Sequence, residues 1–258
     1  MTKKADKSII SGYLLSDVKI DTVESIASTN DEMKLRATQG EREISVLIAE
    51  SQTKGKGTKG RSFFSPDGSG CYMSLLLRPP YSAEDCTLLT TAAAVAVAET
   101  IDKFTDKKAQ IKWVNDIYID GKKVAGILTE ASLSKNGSVL DYAVVGIGIN
   151  LWTPDSGFPE EIKDIADSVG IAKNKKNEFI AGVINEFVHY YKNLTAKEYL
   201  DKYRRRLFFL SQEVTVTQGT ETYIAKAVDV DDMCHLIVET DAGERKTLFA
   251  GEITVRSK

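Results

Sequence analysis

Residues 110–151 carry the sequence QIKWVNDIYIDGKKVAGILTEASLSKNGSVLDYAVVGIGINL, and this stretch decides the fold. Its apolar, β-branched runs are separated by an Asp-Gly pair at 120–121 and an Asn-Gly pair at 136–137. Such a pair between two apolar runs is a strong signal for a tight turn that joins antiparallel strands. The stretch therefore predicts an antiparallel sheet in the middle of the chain.

Both helices and strands are predicted on either side of this sheet. Strand patterns are apolar and alternating or continuous, whereas helical patterns repeat their apolar residues every three to four positions. The strand patterns lie at 17–23, 44–51, 71–78 and, as short runs, from 213 onward, and the helical patterns lie at 82–104 and within 158–203. A further helix is predicted after residues 28–31, whose Ser, Thr, Asn and Asp are typical N-cap residues.

This order of elements predicts an α+β fold with two domains. Helices lie beside a mostly antiparallel sheet in the main domain, which we expect at 17–210. The short strands that follow predict a small β-barrel at 211–258. Residues 1–16 precede the first strand and are expected to be an N-terminal tail.

Composition excludes several classes of function. The chain has 258 residues and a net charge of −3, which argues against a large nucleic-acid surface. Its three cysteines form no CxxC pair, and its two histidines lack a neighbouring ligand at metal spacing, so a zinc site and histidine catalysis are not expected. No segment has the pattern of a signal peptide or a membrane span, and we expect a cytoplasmic protein with reduced thiols.

A glycine-rich, basic loop lies between two predicted strands. It reads QTKGKGTKGRSFFSPDGSG, residues 52–70. Its glycines let backbone amides turn toward a ligand, and its lysines and Arg61 supply positive charge, a combination that suits a phosphate. A solvated surface loop is the alternative. The loop is not a Walker A motif, because Glu50 and Gly57 occupy the positions that need Gly and Ser or Thr.

Polar residues also interrupt three of the predicted strands. Lys112-Trp113-Val114-Asn115-Asp116 ends one strand, where Asn and Asp oxygens can hold Mg²⁺ on a nucleotide; the alternative is a capped strand end with a buried Trp. Lys123 lies on the next strand, with Gly126 allowing close approach, although a lone lysine on a strand is usually only solvated. The run GIGIN at 146–150 places two glycines in an apolar strand, which marks the close approach of a ligand or of another backbone.

Taken in order, these segments resemble the biotin protein ligase family. The ordered set is STN, the glycine-rich loop, KWVND, KVAGIL, GIGIN and AGEITVR, and it extends over about 230 residues in a spacing close to the family's. The resemblance implies a catalytic domain related to the class II synthetases, binding biotin and ATP at 17–210, and an SH3-like C-terminal domain at 211–258. It also implies that the chain activates biotin with Mg-ATP to biotinyl-5′-AMP and then transfers biotin to a lysine of a biotin carboxyl carrier protein.

The resemblance further implies a role for individual residues. Ser28, Thr29, Asn30 and Gln52 match positions at the biotin ring system, and Gly55, Lys56, Gly57 and Thr58 match the loop that closes on biotin and the adenylate. Lys123 matches the lysine near the biotin carboxylate and the α-phosphate. Asn115 and Asp116 match the nucleotide- and metal-facing pair, Asn150 the adenosine side, and Arg256 an arginine that reaches toward the ATP phosphates. The remaining expected site residues are Arg61 in the catalytic set, and Lys112, Gly126 and Gly148 in the binding set.

Four residues depart from the family pattern. Lys56 and Thr58 stand where the family loop has arginines, Phe63 replaces a common Trp, and Val114 replaces the Pro of KWPND. Lysine keeps the charge but loses the bidentate fork of arginine, and threonine loses the charge altogether. We therefore expect weaker retention of the adenylate.

Three alternatives to a biotin ligase are considered. A lipoate protein ligase shares the fold and the acyl-adenylate chemistry, but KWVND, GIGIN and the C-terminal domain favour biotin. A DNA-binding repressor needs a winged-helix domain, and only about 20 residues precede the first catalytic strand, so we expect a monofunctional ligase without nucleic-acid or membrane partners. A non-catalytic biotin-binding regulator would have no use for Lys123 with Asn115 and Asp116. A homodimer is a further possibility.

Overall fold

A computed structural model describes residues 4–82, 85–135, 137, 139–249 and 252–255. The helices are α1 (Lys7–Gly12), α2 (Thr29–Thr38), α3 (Cys86–Phe104), α4 (Lys176–Lys192) and α5 (Leu200–Arg206). The first seven strands are β1 (Lys19–Ile26), β2 (Ser45–Gln52), β3 (Gly70–Leu77), β4 (Gln110–Lys112), β5 (Asp116–Ile119), β6 (Lys122–Leu133) and β7 (Leu140–Asn150). The last five strands are β8 (Glu213–Gln218), β9 (Glu221–Val230), β10 (Leu236–Glu239), β11 (Arg245–Leu248) and β12 (Glu252–Val255).

The first seven strands form one mixed sheet in the order β1-β2-β3-β7-β6-β5-β4. Only β1 and β2 pair in parallel, and every other neighbouring pair is antiparallel. The predicted turn at Asp120 and Gly121 joins β5 to β6, and both residues have positive φ, at 50° and 76°. These values are typical of the tight turns that join antiparallel strands. Asn136 of the other predicted turn lies outside the described residues.

One long helix supplies the core beside this sheet. Residues Leu88–Val97 of α3 are buried on every side, because α3 lies between the sheet and α4. The alanines among them let the backbones approach closely. The helix begins at Cys86, four residues later than the sequence pattern predicts, and Asp85 precedes it as the N-cap residue.

The region 158–203 is less helical than predicted. It contains α4 and α5 with short 3-10 turns, but the chain from 151 to 172 has no regular helix. This irregular segment lies beside β6, where Lys123 pairs with Ala166 in a single parallel bridge. Its path brings apolar residues toward the functional site described below.

The predicted N-terminal tail at 1–16 is in part a packed helix. Asp6 caps α1 by accepting hydrogen bonds from the backbone nitrogens of Ser8 and Ile9, and Ile10 is fully buried. Asn185 of α4 binds the backbone that directly follows α1. Its side-chain oxygen accepts a hydrogen bond from Leu15 N at 2.9 Å, and its side-chain nitrogen donates to Tyr13 O at 2.9 Å. The sequence pattern missed this helix because it is only six residues long.

The last five strands form a second, fully antiparallel sheet in the order β11-β10-β9-β8-β12. Trp113 ties the main domain to it, since its indole Nε1 donates to Cys234 O at 2.9 Å. The α+β fold with a separate C-terminal β-module is confirmed. Within the described ranges, no helix has the length and the hydropathy needed to cross a bilayer.

Candidate functional site

The N-terminus of α2 presents a buried polar network. Asn30 is 4% exposed; its amide nitrogen donates to Glu130 Oε2 at 2.9 Å and its Oδ1 accepts from Ser74 Oγ at 2.6 Å. Thr29 donates to Gln52 Oε1 from both its backbone nitrogen, at 2.9 Å, and its hydroxyl, at 3.1 Å. Four chain segments thus fix the orientation of a row of polar groups. Polar groups buried in this way are positioned to recognise a ligand with its own donors and acceptors.

These groups form the closed end of a narrow pocket of about 40 Å³, which we call the inner pocket. Its lining residues come from α2, the glycine-rich loop and the middle of the sheet: Thr29, Asn30, Gln52, Lys56, Gly57, Thr58, Phe63, Met73, Asn115, Lys123, Gly126, Ile127, Leu128, Gly146, Ile147 and Gly148. Apolar walls with one polar end suit a ligand that has an apolar chain and a compact polar head.

Two glycines of β7 make room for the side chains of this pocket. A Cβ on Gly146 would lie 2.1 Å from Asn30 Oδ1, and a Cβ on Gly148 would lie 2.6 Å from Cε1 of Phe63. Both distances are far below van der Waals contact. The glycines predicted to mark a close approach therefore accommodate neighbouring side chains, and they let Asn30 and Phe63 lie directly on the strand.

The glycine-rich loop folds back on itself at the mouth of the pocket. Phe63 N donates to Gly55 O at 3.0 Å, and Gly57 N donates to Arg61 O at 2.7 Å. Lys59 at the tip has a φ of 56°, the left-handed region that favours glycine. A Cβ on Gly55 would lie 2.5 Å from Phe63 O, so the fold-back requires glycine there. The loop therefore has a defined folded-back conformation, and it carries the lining residues Lys56, Gly57 and Thr58.

Lys123 and Asp116 form an ion pair at the centre of the site, with Nζ 2.7 Å from Oδ1. A β-bulge sets this pair up, because the register shifts between Ile117 and Tyr118 so that Lys123 faces Tyr118. Without that shift, Lys123 would pair with the next residue along β5. Its side chain would then point to the face of the sheet opposite to that of Asp116. Gly126 lies opposite Asp116 and leaves space for the lysine side chain.

The KWVND segment contributes one residue to the core and one to the inner pocket. Trp113 is buried and holds the C-terminal sheet, whereas Asn115 lines the inner pocket. The Asn115 amide nitrogen donates to Ile127 O at 2.8 Å, which leaves Oδ1 as its acceptor. The peptide bond between Trp113 and Val114 is cis, and the Val114 carbonyl accepts a hydrogen bond from Tyr203 at 3.1 Å.

Two wider clefts adjoin the inner pocket. The side cleft, about 300 Å³, is bounded by Arg61, Ser62, Phe63, Phe64, Lys112, Asp116, Tyr118, Lys123, Asn150, Phe158, Ile162, Ile165 and Ala166. The intersheet cleft, about 400 Å³, is bounded by Thr58, Lys59, Arg61, Thr87, Lys112, Trp113, Val114, Asn115, Asp116, Phe249, Ile253 and Thr254. The three cavities share charged and amide side chains at their common boundary.

This common boundary is the chemical centre of the site. Lys123 faces both the inner pocket and the side cleft, and Asn115 faces both the inner pocket and the intersheet cleft. Arg61, Lys112 and Asp116 line both clefts. Three cations, one carboxylate and one amide therefore each line two of the three cavities. Such a cluster suits a reaction between two anionic groups.

The electrostatics of the side cleft follow from burial and from Asp116. Burial first, and the nearby Asp116 carboxylate second, raise the pKa of Tyr118 to about 12, so its phenol is neutral at physiological pH. The Lys112 ammonium lies 6.0 Å from the centre of the same ring. An aromatic face beside these cations suits a planar ligand with a charged end.

Magnesium fits this centre only as an ion shared with a ligand. Among the described residues, no group of three or more His, Cys, Asp or Glu side chains is arranged to hold a metal. Asp116 supplies one carboxylate and Asn115 one amide oxygen. Mg²⁺ is commonly held by one or two carboxylates together with substrate phosphates. The donor set of these two predicted ligands is therefore compatible with Mg²⁺ that arrives on a nucleotide.

Fourteen of the predicted site residues line one or more of the three cavities, whereas Ser28 and Gly55 line none of them. Ser28 caps α2 by accepting a hydrogen bond from Asp31 N at 3.4 Å, and it lines none of the three cavities. Gly55 also lines none of them and serves the fold-back of the loop. Asn150 lines the side cleft, away from the inner pocket. Arg256 lies outside the described residues.

Sequence patterns missed several residues of the site. Ser74 and Glu130, which hold Asn30, lie more than 40 positions from it in the chain. The wall of the side cleft formed by Phe158, Ile162 and Ile165 was also missed, because this segment resembles a helix in its spacing. For the support of Asn30, the one signal in the sequence was Ser74, a polar residue in the otherwise apolar run 71–77.

Comparison with known proteins agrees with this architecture. Residues 22–150 match the model of the biotin/lipoate A/B protein ligase family, and residues 209–256 match that of the biotin protein ligase C-terminal domain. The bifunctional ligase/repressor BirA of Bacillus subtilis is 33% identical over 238 residues, covering 89% of this chain and 71% of BirA. The biotin–[acetyl-CoA-carboxylase] ligase of Mycobacterium tuberculosis is 27% identical over 247 residues, covering 91% and 88%.

A solved structure extends the similarity to three dimensions. The biotin protein ligase from Aquifex aeolicus, in complex with biotin and ATP, has a TM-score of 0.74 at 28% identity and covers 93% of this chain and 99% of its own. The fold and the site define a member of the biotin/lipoate protein ligases. With both domain models matched, the chain belongs to the biotin protein ligase family.

Proposed function

We propose that this chain is an ATP-dependent biotin–protein ligase, which forms biotinyl-5′-AMP and transfers biotin to a lysine of a biotin carboxyl carrier protein. The observation that carries the proposal is the position of Lys123 at the boundary of the inner pocket and the side cleft. Biotin in the inner pocket and ATP in the side cleft would place two anions on either side of this ammonium group. Membership of the family supports the same reaction.

In the first half-reaction, a carboxylate oxygen of biotin forms a bond to the α-phosphorus of ATP while the bond to the diphosphate oxygen breaks. Both reactants are anionic, so charge must be neutralised before they meet. Lys123, Lys112 and Arg61 supply that positive charge at the common boundary. Mg²⁺ held by Asp116 and Asn115 would neutralise further phosphate charge. No protein nucleophile is required.

In the second half-reaction, the amine of an acceptor lysine forms a bond to the biotin acyl carbon, loses a proton, and AMP leaves. The mixed anhydride must survive until the acceptor arrives, although water attacks such groups readily. The glycine-rich loop, with Thr58 facing both the inner pocket and the intersheet cleft, is positioned to shield it. The intersheet cleft is the route by which we expect the acceptor lysine to enter.

Lipoate is the main competing substrate, and the polar end of the inner pocket argues against it. Asn30, Thr29 and Gln52 line this end with donors and acceptors that suit the cyclic urea of biotin, and Ser74 holds Thr29 and Asn30 through its hydroxyl. The dithiolane ring of lipoate has no comparable groups, so binding it would leave these side chains without ligand partners. Sites of this kind reject the analogue that lacks hydrogen-bonding groups.

The location and the partners of the enzyme are a further part of what we propose. We propose a cytoplasmic protein that acts on a carboxylase carrier and on no nucleic acid, in keeping with the net charge of −3. A gel-shift assay against random duplex DNA tests the nucleic-acid part. A homodimer is a further possibility, and sedimentation velocity tests it.

The activation step is tested without an acceptor. The protein is mixed with Mg-ATP and either biotin or lipoate, and diphosphate release and the acyl-adenylate are measured. We expect one equivalent of biotinyl-5′-AMP per protein and no lipoyl-adenylate. Formation of the lipoyl-adenylate alone would contradict the proposal.

A further inference from the structure

An ion pair joins the glycine-rich loop to helix α2. Lys56 Nζ lies 2.6 Å from Asp31 Oδ1, across 25 positions of sequence. Lys56 lines the inner pocket, whereas Asp31 lines neither that pocket nor either cleft. Asp31 therefore contacts the loop from outside the site, on the first turn of the helix whose Thr29 and Asn30 form the polar end of the pocket.

The same carboxylate is connected to the interior of the pocket. Lys34 Nζ lies 3.0 Å from Asp31 Oδ1 and 2.6 Å from Glu130 Oε1. The other oxygen of Glu130 accepts the hydrogen bond from Asn30. A continuous chain of polar contacts thus leads from Asn30 to Lys56. The carboxylate that holds the loop is itself held by the groups at the closed end of the pocket.

We propose that Asp31 is a positioning residue that holds the glycine-rich loop closed over the inner pocket through Lys56. The inference rests on the proposed function, because the loop is taken to cover biotin and its adenylate. Lys56 is the lining residue that Asp31 fixes, and Asp31 itself touches no substrate. Closure of the loop is then favoured by a contact outside the pocket, in addition to any contact that the ligand makes.

The ion pair between Lys56 and Asp31 is weak enough for the glycine-rich loop to open and close. The Lys56 and Asp31 side chains are 42% and 46% exposed, so water and salt screen the pair and it is weak. Burial opposes the charge on Asp31, but hydrogen bonds from Lys56 and Lys34 outweigh it and lower the pKa of the carboxyl. From the range for exposed ion pairs, we expect loss of the pair to open the loop about two- to five-fold more often.

Opening of the loop is measured first without any ligand. Trypsin is added to the native protein, and cleavage after Lys59 and Arg61 is followed by mass spectrometry. We expect Asp31→Asn to accelerate this cleavage about two- to five-fold, and Asp31→Glu to restore the wild-type rate because it keeps the carboxylate. Glu32→Gln is the matched control: Glu32 is on the same helical turn but pairs with Arg36 at 2.8 Å, away from the loop.

A double variant tests whether Lys56 is the partner of Asp31. In a Lys56→Gln background, Asp31→Asn should add no further cleavage, because the pair is already absent. Additive effects in the double variant would overturn the assignment of Lys56 as the partner. Equal cleavage of Asp31→Asn and Glu32→Gln, or failure of Asp31→Glu to restore the rate, would overturn the role of Asp31.

The consequence for the ligand is tested second. Release of preformed biotinyl-5′-AMP from Asp31→Asn should be about two- to five-fold faster than from the wild type, and the ratio should approach one in about 1 M salt. A ratio that does not change with salt would overturn an electrostatic contact. If wild type makes no adenylate while loop cleavage still rises in Asp31→Asn, the proposed function fails and the positioning role stands.

Discussion

The Gly146→Ala substitution should damage the polar end of the inner pocket by displacing Asn30. The added Cβ would lie 2.1 Å from Asn30 Oδ1 and 2.8 Å from Asn30 Cγ, distances at which one group must move. Gly146 is in the middle of β7, between β3 and β6, so its backbone is fixed on both sides. The Asn30 side chain must therefore leave its position.

The cost follows from the hydrogen bonds that Asn30 loses. Its bonds with Ser74, at 2.6 Å, and with Glu130, at 2.9 Å, cannot both survive a displacement of the amide. A net contribution of about 0.5–1.5 kcal/mol for each bond gives about 1–3 kcal/mol in total. This sum is the loss of folding stability. Because the same amide is proposed to contact biotin, the loss of one or two hydrogen bonds to the ligand, at about 0.5–1.5 kcal/mol each, should separately lower biotin affinity about 2- to 150-fold.

Isothermal titration with biotin measures the change, and urea unfolding of the same samples reports whether the fold is intact. Gly12→Ala is the control, since a Cβ there meets nothing within 4 Å and no residue of α1 lines any of the three cavities. Gly146→Ala with a biotin Kd within twofold of the wild type would refute the reasoning. The same result would remove Asn30 from the proposed recognition of biotin.

Three further substitutions test other parts of the account. Lys123→Ala should slow adenylate formation by about 100-fold or more, because the ammonium group at the cavity boundary is lost, while circular dichroism stays that of the wild type; near-normal rates in a diphosphate-release assay would remove Lys123 from the site. Thr58→Arg should slow adenylate dissociation about tenfold by restoring a charge at the mouth of the pocket; an unchanged off-rate in a chase experiment would contradict this. Lys176→Met should lower the free energy of unfolding by about 3–5 kcal/mol, since it leaves the buried Glu50 carboxylate, 2.6 Å away, without its partner; a loss below about 1 kcal/mol in urea titration would be inconsistent with a buried pair.

Much of the fold was predictable because local signals agreed with it. The turn at Asp120 and Gly121, a helix start close to residues 28–31 and the long apolar helix α3 each depend on residues that are close together in sequence, although α2 begins at Thr29, inside the predicted cap run. The two-domain arrangement followed from a change from long to short strand patterns. The packed helix α1 was not predicted, since its stability comes from α4, more than 160 positions later.

The segments that form the candidate site were predictable from the sequence, but the contacts between their side chains were not. The ion pair between Lys123 and Asp116 depends on a β-bulge that places both side chains on one face, and no residue type in the run marks that bulge. The support of Asn30 by Ser74 and Glu130 depends on strand order in the sheet. Contacts of this kind arise from tertiary packing, which local patterns do not encode.

The central claim is that this chain joins biotin to a protein lysine through an adenylate. The most direct measurement incubates the protein with biotin, Mg-ATP and a biotin carboxyl carrier domain, and follows the mass of the acceptor together with AMP release. The account predicts one biotin per acceptor and one AMP per biotin transferred, with no labelling of an acceptor whose target lysine is replaced by arginine. An unmodified acceptor in the presence of biotin, or modification with lipoate instead, would contradict it.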